Sequence, residues 1–111
     1  MLQELINKIN HMAKEREWEK FHSPKNIAMS LIAETAEIIE HFTWRTEAES
    51  CHLDAATLSQ VSEEIGDVFI NLLHLSSKLG IDPLSAASKK LEAIKEKYPV
   101  DVYKGRHSKH I

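Results

Sequence analysis

Four acids in this chain are spaced for shared chemistry. Glu34 and Glu37 stand three residues apart, and so do Glu64 and Asp67. On a helix, residues at i and i+3 share a face, so each pair aims two carboxylates the same way. Like charges so placed repel by roughly 0.2–0.5 kcal/mol per pair, and a cation among the four acids reverses that sign. Hard divalent cations take oxygen ligands, and an all-carboxylate set favours Mg²⁺ or Mn²⁺ over Zn²⁺ or iron. A ferritin-like di-iron site needs Glu-x-x-His on two helices, and Glu49-x-x-His52 falls in a predicted loop. The pattern predicts a Mg²⁺ site, with Mn²⁺ as a substitute, built across two antiparallel helices from Glu34, Glu37, Glu64 and Asp67.

The elements that must position these acids are helical. Leu2, Leu5, Ile6, Ile9, Met12 and Ala13 form the stripe of a first helix over residues 2–18. Trp18 and Phe21 follow near its end and are read as core aromatics. Ser23 is a good N-cap, and Pro24 suits the first position of a second helix, which runs to about Phe42. Asn26, Ser30, Glu34, Glu37 and His41 follow at spacings of three and four, a polar stripe beside the apolar arc of Ile27, Leu31, Ile38, Ile39 and Phe42. Residues 43–56 read as a loop with room for a short helical turn. In it, Trp44 is either a packed aromatic or a stacking surface for a base. A third helix from about Ala56 to Leu79 carries a broad apolar face, with Glu64, Asp67, Asn71 and His74 as a polar stripe beside it. Gly66 interrupts that helix at a cost of about 1 kcal/mol relative to alanine, and reads as close packing, access to the acids or a neutral accident. Gly80 reads as the stop. Asp82-Pro83 opens a fourth helix that ends at Tyr98-Pro99.

The fold class is therefore all-α, a four-helix bundle-like arrangement. Residues 1–99 are expected to form one helical domain, and 100–111 a polar, loose tail. The 111 residues suit a single domain. A net charge of −3 is too mild and of the wrong sign for a general nucleic-acid polymer binder. The single cysteine, Cys51, excludes an intrachain disulfide and fits an intracellular, cytoplasmic setting. No signal-peptide pattern and no apolar run near the ~20 residues of a membrane span is present, so no membrane partner is expected. Apolar residues spread beyond one face, including Leu2, Leu5, Ile9, Leu72 and Leu73, predict a homo-oligomer, either a dimer or a tetramer.

Several of these segments together resemble the MazG-like nucleotide pyrophosphohydrolases, in the short single-domain branch that includes the dCTP pyrophosphatases. They are Phe21-His22-Ser23-Pro24-Lys25-Asn26, Glu34-x-x-Glu37, Phe42-x-Trp44, Glu63-Glu64-x-x-Asp67 and Lys97-Tyr98-Pro99. The resemblance spans about residues 18–99. It implies cleavage of a nucleoside triphosphate between the α and β phosphates, to a nucleoside monophosphate and pyrophosphate. It also implies Mg²⁺ held by Glu34, Glu37, Glu64 and Asp67, and a base pocket matched by His22, Asn26 and Trp44. Lys90 is implied at the phosphates, and dimers or dimers of dimers share their sites across subunits. Two positions depart from that pattern. Ile94 stands where many relatives carry asparagine, and Asn71 stands where the dCTP enzymes carry tyrosine, so a strict cytosine preference is not carried over.

The chemistry agrees with the physics. A site of bare carboxylates repels a triphosphate, whereas one loaded with Mg²⁺ attracts it and stabilises developing charge. Glu37 or Glu64 is expected to orient or deprotonate the attacking water, with Asn71 beside the base. His22 and Trp44 flank a helix of about 20 residues, or about 30 Å, so a base touching both implies a second chain. The alternative from another class is a non-catalytic helical protein-interaction module whose acids are surface decoration. Mg²⁺-dependent stabilisation separates the two.

Overall fold

In the computed structural model, which describes residues 1–106, helices account for the regular structure and no strand occurs among the described residues. The four long helices are α1 (Leu2–Glu15), α2 (Pro24–Glu40), α4 (Ala55–Lys78) and α5 (Pro83–Lys97). The short ones are α3 (Glu47–Ser50), α6 (Val100–Tyr103) and a 3₁₀ turn, Glu19–Phe21. The all-α expectation holds. The described residues divide into two compact units, one covering Met1–Gly80 and the other running from Ile81 to Arg106.

In the first unit α4 is the central element. α2 lies along it, and α1 packs on it around Ile6, Ile9 and Leu73. Leu73 is 1% exposed, with Leu2 and Leu5 closing the edge of that cluster. Asn10 Nδ2 donates to Ser77 Oγ at 3.0 Å and fixes the rotation of α1 against α4. Ile27 and Val61 are buried on α2 and α4.

The helix ends show why these segments start and stop where they do. Ser23 Oγ accepts from the Asn26 amide, and Pro24 opens α2 as its residue types require. Asp82 caps α5 through the amides of Leu84 and Ser85, and Gly80 sits at φ +66° past α4.

Two ends differ from the sequence expectation. α1 stops at Glu15 rather than near Trp18. Glu17 takes a left-handed φ of 54°, the Glu17 amide returns to Lys14 O, and the Trp18 amide returns to Ala13 O. This is a Schellman ending with glutamate where glycine is usual. The turn carries Trp18 and Phe21 out of the core, and both are exposed, so they are not the core aromatics expected. α4 begins earlier than expected, because Asp54 Oδ1 accepts from the Thr57 amide at 2.7 Å. The connection 43–54 contains α3, held by a reciprocal capping box in which Thr46 Oγ1 accepts from the Glu49 amide and Glu49 accepts from the Thr46 amide.

In the second unit α5 is followed by α6, and the Tyr98 and Tyr103 rings meet edge-to-face at 5.0 Å. The segment expected as a polar tail thus opens with a helical turn, and His107 to Ile111 lie outside the described residues. No helix of the described residues is long and apolar enough to cross a membrane.

Candidate active site

Glu34 and Glu37 occupy the second half of α2, while Glu64 and Asp67 occupy the middle of α4. Because α2 lies on α4, the two pairs come into electrostatic reach of one another. Glu34 registers this directly. Its carboxyl titrates above the usual carboxylate range, first because burial disfavours the charged form and then because Glu37, Asp67 and Glu64 each add negative charge nearby. A protonated Glu34 also gains a hydrogen bond with Glu37. Glu34 and Glu64 are half-buried, whereas Glu37 and Asp67 are exposed. The four acids expected as one group are therefore brought together. Among the described residues, no three Asp, Glu, His or Cys side chains close into a ready metal cage. The donor set consists of hard carboxylate oxygens, which suits a hard divalent cation.

His41 joins this group, a contact that sequence reasoning left undrawn. It follows α2 directly, and its Nε2 lies 2.6 Å from Glu64 Oε2, with the side chains 18% and 20% exposed. The two atoms are in close contact without the alignment of a hydrogen bond, since Oε2 is buried without a hydrogen-bond partner. The available signal was the i, i+3, i+7 run of Glu34, Glu37 and His41 on one helix face. Arg45 donates to the His41 carbonyl through Nη1 and reaches Thr57 Oγ1 at 3.5 Å through Nη2, so the end of α2 is tied to the first turn of α4.

The remaining expected residues spread out. His22 follows the 3₁₀ turn, and its ring meets His74 edge-to-face at 4.6 Å. Its Nδ1 is buried without a hydrogen-bond partner. His74, expected only to border the core, is 7% exposed, and burial, His22 and Lys78 lower its pKa in that order. Asn26 Nδ2 donates to Phe21 O at 3.0 Å and closes the turn before α2. Asn71 Nδ2 donates to Asp67 O at 2.9 Å, so it lies one turn beyond the last acid. Trp44 is 92% exposed just past α2. Lys90 is exposed on α5 in the second unit. Gly66 has no atom within 4 Å of where a Cβ would sit; within this chain its role is not close packing. A hollow of about 380 Å³ in the α2–α4 connection is lined by Arg45, Glu49, His52 and Asp54, among others. Its two acids are already engaged as helix caps, and those backbone hydrogen bonds hold both below their usual pKa.

A helical scaffold with paired acids on two adjacent helices defines a class, and comparison gives it a family. The chain belongs to the MazG-like family, whose model matches residues 29–110. Among curated relatives it is 32% identical over 100 residues to dCTP pyrophosphatase 1 of Rattus norvegicus and 30% identical over 100 residues to that of Homo sapiens. Each match covers 88% of this chain and 59% of the relative, so the chain spans under two thirds of their length. A solved pyrophosphatase from Archaeoglobus fulgidus DSM 4304 superposes with a TM-score of 0.82 at 38% identity, covering 87% of this chain and 91% of that one.

Proposed function

We propose that the protein is a Mg²⁺-dependent nucleoside triphosphate pyrophosphohydrolase, cleaving (d)NTP to (d)NMP and pyrophosphate in the removal of modified or excess deoxynucleotides. The observation that carries this reading is the placement of Glu34 and Glu37 on α2 and of Glu64 and Asp67 on α4, two helices packed on one another. Membership of the MazG-like family and the pyrophosphatase names of its relatives support it.

Glu34, Glu37, Glu64 and Asp67 would hold the cation, with Mn²⁺ able to replace Mg²⁺. When bound there, Mg²⁺ supplies neutralisation of the triphosphate charge and lowers the pKa of water. The chain's own part is to place acids and exclude alternatives. Glu37 or Glu64 accepts the proton that water loses as its oxygen bonds to phosphorus and the α–β bridge breaks. His22, Asn26, Trp44 and Asn71 form the base-binding set, and an exposed indole such as Trp44 suits stacking on any base. Lys90 offsets phosphate charge. The working form is a homo-oligomer, a dimer or tetramer, in the cytoplasm.

The test is pyrophosphate release across standard and modified nucleoside triphosphates at saturating Mg²⁺. Turnover of one or more of them supports the reading. No turnover of any, with Mg²⁺ leaving the melting temperature unmoved, would leave the non-catalytic interaction module in its place.

A further inference from the structure

The contact between His41 and Glu64 has no assigned role, and it joins the two helices that carry the acids. Nε2 to Oε2 is 2.6 Å, and both side chains are about four-fifths buried. A contact of this kind that still touches solvent contributes little to stability. Its firmer effect is on geometry. A carboxylate has two oxygens, and Oε2 of Glu64 is turned to the imidazole, which leaves Oε1 for a cation or water. His41 is itself held from behind, because Arg45 donates to its carbonyl and spans to Thr57 on α4. Glu64 thus sits at the end of a braced path, Thr57 to Arg45 to His41, while Asp67 is exposed.

We propose that His41 is a positioning residue, which holds Glu64 in the one-oxygen orientation in which it serves the acidic site. This rests on the reading of that site given above. Partners of this kind, behind a ligating carboxylate, set metal affinity and activity, and their loss typically costs 10–100-fold.

Two variants test it. His41→Leu keeps the volume and removes the polar imidazole nitrogen, and His41→Gln places a polar amide near the position of Nε2. Mn²⁺ binding to nucleotide-free protein is read by the loss of the free-ion electron paramagnetic resonance signal, beside wild type and Asp67→Asn. Folding is checked by circular dichroism. His41→Leu should weaken Mn²⁺ binding by about 10-fold or more, and His41→Gln should recover most of that loss. At saturating Mg²⁺ and nucleotide, kcat of His41→Leu should fall with KM for the nucleotide little changed. Equal or tighter Mn²⁺ binding by a folded His41→Leu overturns the proposal, as does His41→Gln binding no better than His41→Leu. A His41→Leu chain that does not fold also overturns it, since His41 would then be structural. If Asp67→Asn loses Mn²⁺ while His41→Leu matches wild type, only the role of His41 fails. If wild type binds no Mn²⁺, the site reading falls and this proposal with it.

Discussion

Glu34 carries the clearest mark of how the site works. Its carboxyl titrates high first because burial disfavours the charged form and then because Glu37, Asp67 and Glu64 add negative charge nearby, and a cation among them relieves the second of these. Removing charge from the exposed partners tests this without disturbing the packed face. Glu37→Gln and Asp67→Asn should each cut Mg²⁺-dependent turnover by at least about 100-fold, as is typical when a general base or cation ligand is lost, while melting temperatures stay near wild type. Near-wild-type turnover in both would remove the acidic site from the mechanism. The sequence made these four residues legible because i, i+3 spacing is local. His41 was less legible because its partner Glu64 is 23 positions away, and the pairing exists only once α2 lies on α4.

At the scale of elements, helix starts were readable where cap and proline coincide, at Ser23-Pro24 and Asp82-Pro83. The Asp54 cap and the Thr46–Glu49 box lay in a stretch without apolar periodicity, and the first helix was read too long because Glu17 takes a conformation that glutamate rarely adopts. That last position predicts its own repair. Glu17→Gly should relieve the left-handed strain of about 1–2 kcal/mol, less about 0.5–1 kcal/mol for added unfolded-chain entropy. The net gain of about 0–1.5 kcal/mol should appear as a rise of up to roughly 9 °C in melting temperature, and a fall would mean that the turn is unstrained. His74 gives a second test. Its folded-state pKa lies below its ordinary value of 6.5 because it is buried, so the unfolded chain takes up the proton first as pH falls. Stability from this group is fully present above about 6.5 and declines as pH drops from there through the folded pKa. Urea denaturation between pH 7.5 and 5 should show that decline, and His74→Phe should flatten it. An unchanged slope in a folded His74→Phe would locate the effect elsewhere.

For the whole molecule, the described surface leaves the large apolar side chains of Ile32, Ile39, Leu58, Ile65, Phe69 and Leu72 exposed in the first unit. A second copy of the chain is the proposed cover, and light scattering at micromolar concentration should report a dimer or tetramer. A monomer would refute it. The same geometry bears on the base. His22 and Trp44 lie at opposite ends of α2, whose 17 residues span about 25 Å, so a nucleotide that meets both draws them from two chains. Trp44→Ala should raise KM and blunt base selectivity more than it lowers kcat, because stacking is largely uniform binding. Mixed oligomers of Trp44→Ala and Asp67→Asn subunits should recover part of the activity. No recovery in demonstrably mixed oligomers would confine each site to one chain.

The central claim is that this helical, acid-lined chain breaks the α–β phosphate bond with the help of a divalent cation. The most direct test is phosphorus NMR of a deoxynucleoside triphosphate mixture incubated with wild type and Mg²⁺, beside Asp67→Asn and a chelated control. The account predicts nucleoside monophosphate and pyrophosphate appearing in equal amounts, with neither formed in the controls. Orthophosphate with nucleoside diphosphate, or equal turnover after chelation, would contradict it.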